Sequence, residues 1–85
     1  MGDVLSIIRV MPTGTDVDMK KLAEEIKHKF NPRVIDEKPI AFGINCLIVK
    51  FVRPDKEGGT DAIEDAMRKM HGVESVEVTG VTLIS

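Results

Sequence analysis

Residues 4–11 are dominated by aliphatic and β-branched side chains and end at Pro12, which predicts a strand. Alternation places Val4, Ser6, Ile8 and Val10 on one face and Leu5, Ile7, Arg9 and Met11 on the other. The first set is expected in the core; the second is apolar for a solvated face. Pro12-Thr13-Gly14 is turn chemistry. Beyond it, Met19, Leu22, Ala23, Ile26 and Phe30 recur at three- and four-residue steps, which predicts one stripe of a helix. Lys20, Lys21, Glu24, Glu25 and Lys27 take the opposite side. Thr15 or Asp16 is placed to cap the free N–H groups, with Asp16 and Asp18 near the positive end of the helix dipole. Asn31-Pro32 stops this helix.

Residues 33–37 are short and polar, as an edge strand is, and residues 38–43 interrupt them. Residues 44–53 are apolar on both faces, which predicts a central strand. A polar loop over 54–59 follows, with Gly58-Gly59 allowing backbone angles that other residues avoid. A second helix is expected from Thr60 or Asp61 to about His71, burying Ile63, Ala66, Met67 and Met70 and stopping at Gly72. The last strand starts at Val73 or Val76. Its alternation turns Val76, Val78 and Gly80 inward and Glu77, Thr79, Val81 and Leu83 outward.

The order β-α-β-β-α-β in 85 residues is α+β. It predicts a single domain over 1–85, a ferredoxin-like βαββαβ sandwich with two helices on one face of a four-stranded antiparallel sheet. Right-handed crossovers put the first and third strands at the centre and the second and fourth at the edges.

Charge and chemistry narrow the function. Twelve Lys and Arg against fourteen Asp and Glu leave a net charge of -2, which argues against a dedicated nucleic-acid binder. Tyr and Trp are absent and Phe occurs three times, too few for a base-stacking platform. The single Cys46 excludes an intrachain disulfide and a cysteine zinc site, and His28 and His71 lack metal-ligand spacing. No metal and no cofactor are therefore expected. Met1-Gly2-Asp3 lacks the basic start of a signal peptide, and the apolar runs are too short for a bilayer. The expected address is the cytosol, with no membrane partner.

Catalytic signals are thin. Ser6, Ser75 and Ser85 have no evident histidine or acid partner, and the neighbours Asp36 and Glu37 point to opposite faces of a strand. Gly58-Gly59-Thr60-Asp61 opens a helix without the phosphate-loop pattern. Cys46 in mid-strand reads as a small hydrophobe. No bond-making chemistry is expected. What stands out is the predicted sheet face away from the helices: Leu5, Ile7 and Met11, then Cys46, Ile48 and Val52, then Val81 and Leu83. Arg9, Lys50, Glu77 and Thr79 are interspersed. An open face this apolar is expected to dock another protein or a second copy, unless chain ends or loops cover it.

The segment Pro39-Ile40-Ala41-Phe42-Gly43-Ile44 makes the chain recognisable. Together with its flanks over 38–47, Gly59-Thr60-Asp61, Val73-Glu74-Ser75-Val76-Glu77-Val78 and the opening Val10-Met11-Pro12, it resembles the elongation factor 1-beta family, archaeal type. The resemblance covers essentially the whole chain. It implies a guanine-nucleotide exchange factor that binds the GTPase elongation factor 1-alpha and speeds replacement of GDP by GTP, without bond chemistry.

The resemblance also assigns residues. Phe42 matches the family's aromatic at the tip between the second and third strands, which enters a pocket on the GTPase; the alternative is that it caps the domain's own core. Gly43 permits the turn and Ala41 allows close backbone approach. Ile48 and Lys50 belong to the docking sheet face, and Val81, Leu83 and Ile84 to its end. Family members carry basic residues near the C-terminus, but here no Lys or Arg follows Lys69. Leu83, Ile84 or the terminus is therefore expected to act as a steric wedge, unless exchange rests on Phe42 and the sheet. Two alternatives of the same topology stay open. One is a small regulatory ligand-binding or protein-docking module, the other an RNA-binding domain.

Overall fold

The computed structural model describes residues 2–41, 43–54 and 61–84. Its elements are β1 (Asp3–Pro12), α1 (Met19–Phe30), β2 (Val34–Ala41), β3 (Ile44–Pro54), α2 (Asp61–Arg68) and β4 (Val73–Leu83). The sheet is antiparallel with strand order β2-β3-β1-β4, so the predicted ferredoxin-like order and its two central strands are observed. The expected 54–59 loop beyond Pro54, the Thr60 helix start and the Phe42 tip lie outside the described residues.

The core lies between the sheet and the helices. Ile8 and Val10 of β1 and Leu47, Val49 and Phe51 of β3 meet Leu22 and Ile26 of α1 and Met67 of α2. Ile8, Val10, Ile26, Val49 and Met67 are completely buried. Each such side chain contributes roughly 1.5–3 kcal/mol relative to exposure, so this layer dominates stability. The predicted alternation of β1 holds: Ser6, Ile8 and Val10 are buried while Leu5, Ile7, Arg9 and Met11 are half-buried on the other side. Among the described residues no helix is long and apolar enough to cross a membrane.

Four local expectations change. The N-cap of α1 is Asp18, not Thr15 or Asp16; its carboxylate accepts the Lys21 N–H at 3.2 Å. The cap is the residue just before the first helical one and bonds the N–H two or three positions into the helix; with α1 starting at Met19, that residue is Asp18. The predicted interruption at 38–43 is also absent, because β2 continues through Pro39 to Ala41. Pro39 is tolerated because β2 is an edge strand, where a missing N–H leaves no ladder bond unmade. The register shifts immediately after it, so Ile40 forms a bulge.

The second helix stops at Arg68, three residues before His71. Lys69 and Met70 donate to Ala66 and Met67 at 3.3 and 3.1 Å, a tighter turn than the α-helix. Gly72 follows at φ +88°, and its carbonyl accepts the Thr13 N–H at 2.9 Å.

The fourth change matters most for function. β4 is not a regular strand against β1: Ile8 pairs with Val78, but Ile7 pairs with Gly80. Thr79 is the extra residue of a β-bulge, and its hydroxyl donates to the Ile7 carbonyl at 3.3 Å. A single inserted residue reverses the alternation beyond it. Gly80 therefore faces outward, where a Cβ would lie 3.5 Å from the Ile7 side chain, and is not part of the inward set. Val81 and Leu83 pair with Ser6 and Val4, so they lie on the helix-bearing side and not on the open face.

Candidate partner-docking site

Three regions carry the residues that the sequence singles out, and the sheet holds them at fixed separations. The first is the β2–β3 hairpin tip. Ala41 pairs with Ile44, and Gly43 takes φ +76° with no heavy atom within 4 Å of a Cβ built there. Its requirement is thus conformational and not steric. Just below the tip the Asn45 amide donates to the Glu37 carboxylate at 2.6 Å, bracing the two strands. The bulge leaves Ile40, expected in the 38–43 interruption, exposed beside the tip. Phe42 itself lies outside the described residues.

The second region is the open sheet face. Register puts Asp36, Ile48, Arg9 and Glu77 in one row across the four strands, and Val34, Lys50, Ile7 and Gly80 in the next. Ile48 and Lys50 are half-buried by these neighbours. Arg9 reaches Glu77 at 3.1 Å, an exposed pair of the kind worth ~0–1 kcal/mol. Its Nε is shielded from water without a hydrogen-bond partner among the described residues. Cys46 shares this face by register, yet is buried, in keeping with a packed thiol. The face is apolar between its charges, but the bulge subtracts Val81 and Leu83 from it.

The third region is the end of β4. Val81, Leu83 and Ile84 are exposed by 64, 66 and 48%, and the Ile84 N–H is tied to the Asp3 carbonyl at 2.9 Å. This is an apolar projection at the sheet end opposite the hairpin tip, with Val81 and Leu83 on the helix-bearing side. β3 runs from Ile44 at the tip to Pro54, which joins Asp3 at the far end. At about 3.3 Å per residue the two projections stand about 33 Å apart. The predicted residues thus fall into two ends and a middle, not one continuous patch. The signal that could have revealed the split is Gly80, since an isolated glycine within a strand often marks a bulge.

Exposed Ile40 beside the tip and exposed Val81, Leu83 and Ile84 at the β4 end offer apolar surface of the kind that docks a protein. Comparison with known proteins decides the identity of the domain. The EF-1 guanine nucleotide exchange domain matches residues 5–84. The chain belongs to that family.

Its relatives agree along their full length. The chain is 45% identical over 85 residues to elongation factor 1-beta of Methanothermobacter thermautotrophicus, covering 95% of this chain and 96% of the relative. It is 43% identical over 86 residues to that of Methanosarcina barkeri, covering 95% and 97%. With that of Methanospirillum hungatei it shares 44% over 86 residues, covering 99% and 100%. The exchange domain is thus a guanine-nucleotide exchange factor of translation elongation, as the hairpin-tip motif implied.

Proposed function

We propose that this exchange domain binds elongation factor 1-alpha in the cytoplasm and accelerates loss of GDP by gripping the GTPase at two separated points, without making or breaking a bond. The observation that carries the reading is the separation itself: apolar projections at the hairpin tip and the β4 end, about 33 Å apart on one sheet. A partner engaged at both must adopt one fixed spacing between its two contact points. If the nucleotide-free GTPase matches that spacing and the GDP-bound form does not, the domain favours the empty state. By linkage, GDP and the exchange domain then weaken each other's binding by the same factor.

Phe42 is the anchor at the tip, and Ala41 and Gly43 shape the turn that presents it. Ile48 and Lys50 contribute the face between the two ends. Val81, Leu83 and Ile84 act at the far end by displacement, since residues 70–85 carry no Lys or Arg to compete with a bound cation. The test is release of a fluorescent GDP analogue from the GTPase, followed in stopped flow with and without the domain. Acceleration is expected, and Phe42→Ala should reduce it at least tenfold, as loss of an aromatic anchor does. No acceleration at saturating domain, with binding intact, would leave a passive partner.

A further inference from the structure

A separate cleft of about 570 Å³ opens where the end of α1, the start of β2, the end of β3 and α2 meet. That volume is within the range of small-ligand sites. Phe30, Phe51 and Ile63 supply apolar walls, and Lys29, Arg33 and Arg53 are the charged residues among the described lining. Every one of those charges is positive, in a chain whose carboxylates outnumber its cations. Two of the three phenylalanines of the chain are at this one place.

The α1 dipole accounts for part of this. Lys29 lies in the last turn of α1, where a cation offsets the partial negative charge of the helix end. Arg33 lies beyond the Asn31 cap and does not serve the helix. Its backbone is nevertheless fixed, with its N–H donating to the Lys50 carbonyl at 2.8 Å. Neither Lys29 nor Arg33 pairs with a carboxylate of a described residue, whereas Arg9 and Arg68 each do. The Lys29 and Arg33 side chains are both solvent-exposed, so salt screens their attraction for an anion, and contact with the apolar wall has to add to the binding.

We propose that this cleft binds a small organic phosphate, a phosphate monoester whose molecule also carries a flat ring. The ring lies against Phe30, and the phosphate meets the planar fork of Arg33 with Lys29 as second cation. Both halves of the ligand are required, because the cleft offers both an aromatic wall and a cationic one. The site is distinct from the exchange surfaces: none of Ile40, Gly43, Ile48, Lys50, Val81, Leu83 and Ile84 is among its described lining residues.

The test is a backbone-amide NMR titration of the full chain with adenosine 5′-monophosphate, using adenosine and inorganic phosphate as half-ligands. Saturable shifts at Phe30, Arg33, Phe51 and Ile63 are expected with the monophosphate, and at least tenfold weaker binding of either half. Lys29→Ala combined with Arg33→Ala should weaken the monophosphate at least tenfold. Both positions are exposed, so the fold is retained, and the thermal midpoint checks this. Arg33→Lys, which keeps the charge but loses the fork, should fall between. The proposal is overturned if no saturable shift appears by about 10 mM, a weaker affinity than any useful site has. It is equally overturned if the double variant binds as well as the parent, or if only a single-stranded RNA oligomer shifts these residues.

Discussion

Leu83→Ser tests the role of the β4 end most directly. Leu83 is 66% exposed in the free domain, so about a third of its burial is already realised by folding. Full burial of a leucine is worth ~1.5–3 kcal/mol, which leaves about 1–2 kcal/mol to be gained on docking. Folding should lose only about 0.5–1 kcal/mol, because Leu83 touches little beyond its pairing with Val4. If the side chain acts as a wedge, its contact is made in the nucleotide-free complex and not in the GDP-bound one. The maximal rate of GDP release should then fall by about 5–30-fold, the equivalent of 1–2 kcal/mol, while the domain concentration giving half that rate changes little. Leu83→Met, similar in volume and apolar, should retain most of the activity. The assay is stopped-flow release of a fluorescent GDP analogue across a range of domain concentrations, with a thermal melt of each variant. An unchanged maximal rate in a folded Leu83→Ser domain would refute the wedge. Raised half-saturation at full maximal rate would make Leu83 an ordinary contact instead.

The remaining predictions concern the scaffold. Met67→Ala removes a completely buried side chain from the layer between α2 and the sheet and should cost about 2–5 kcal/mol in urea unfolding; a loss below about 1 kcal/mol would contradict the packing described. Asp18→Ala should destabilise by about 1 kcal/mol through loss of the Lys21 cap, and Asp18→Asn should recover most of it; equal effects of the two would deny Asp18 the capping role. Gly43→Ala meets no steric obstacle but must hold φ +76°, so about 1–2 kcal/mol is expected from conformation alone, with Gly43→Asn milder; chemical denaturation of the pair separates the two.

Much of the fold was legible because the features that specify it are local. The three- and four-residue recurrence of Met19, Leu22, Ala23, Ile26 and Phe30 depends only on helix geometry, and Leu22 and Ile26 are indeed buried. The alternation of β1, with Ile8 and Val10 inside, likewise follows from the pleat of one strand. The hairpin-tip motif around Pro39-Ile40-Ala41-Phe42-Gly43 indicated the family without any coordinates. The continuation of β2 through Pro39 was not legible, because proline is a strand breaker or a harmless edge residue according to which neighbour lies beside it.

The site was divided by the same cause. Val81 and Leu83 alternate with Thr79 as a regular strand would, and only the pairing of Gly80 with Ile7 shows that the alternation has slipped by one. A bulge is a mismatch between two strands, and β1 and β4 are separated by most of the chain. Residue order therefore determined which elements form and which side chains are apolar. The partner strand decided which way the apolar end of β4 points, because a sheet face is a property of a pair of strands and not of either alone.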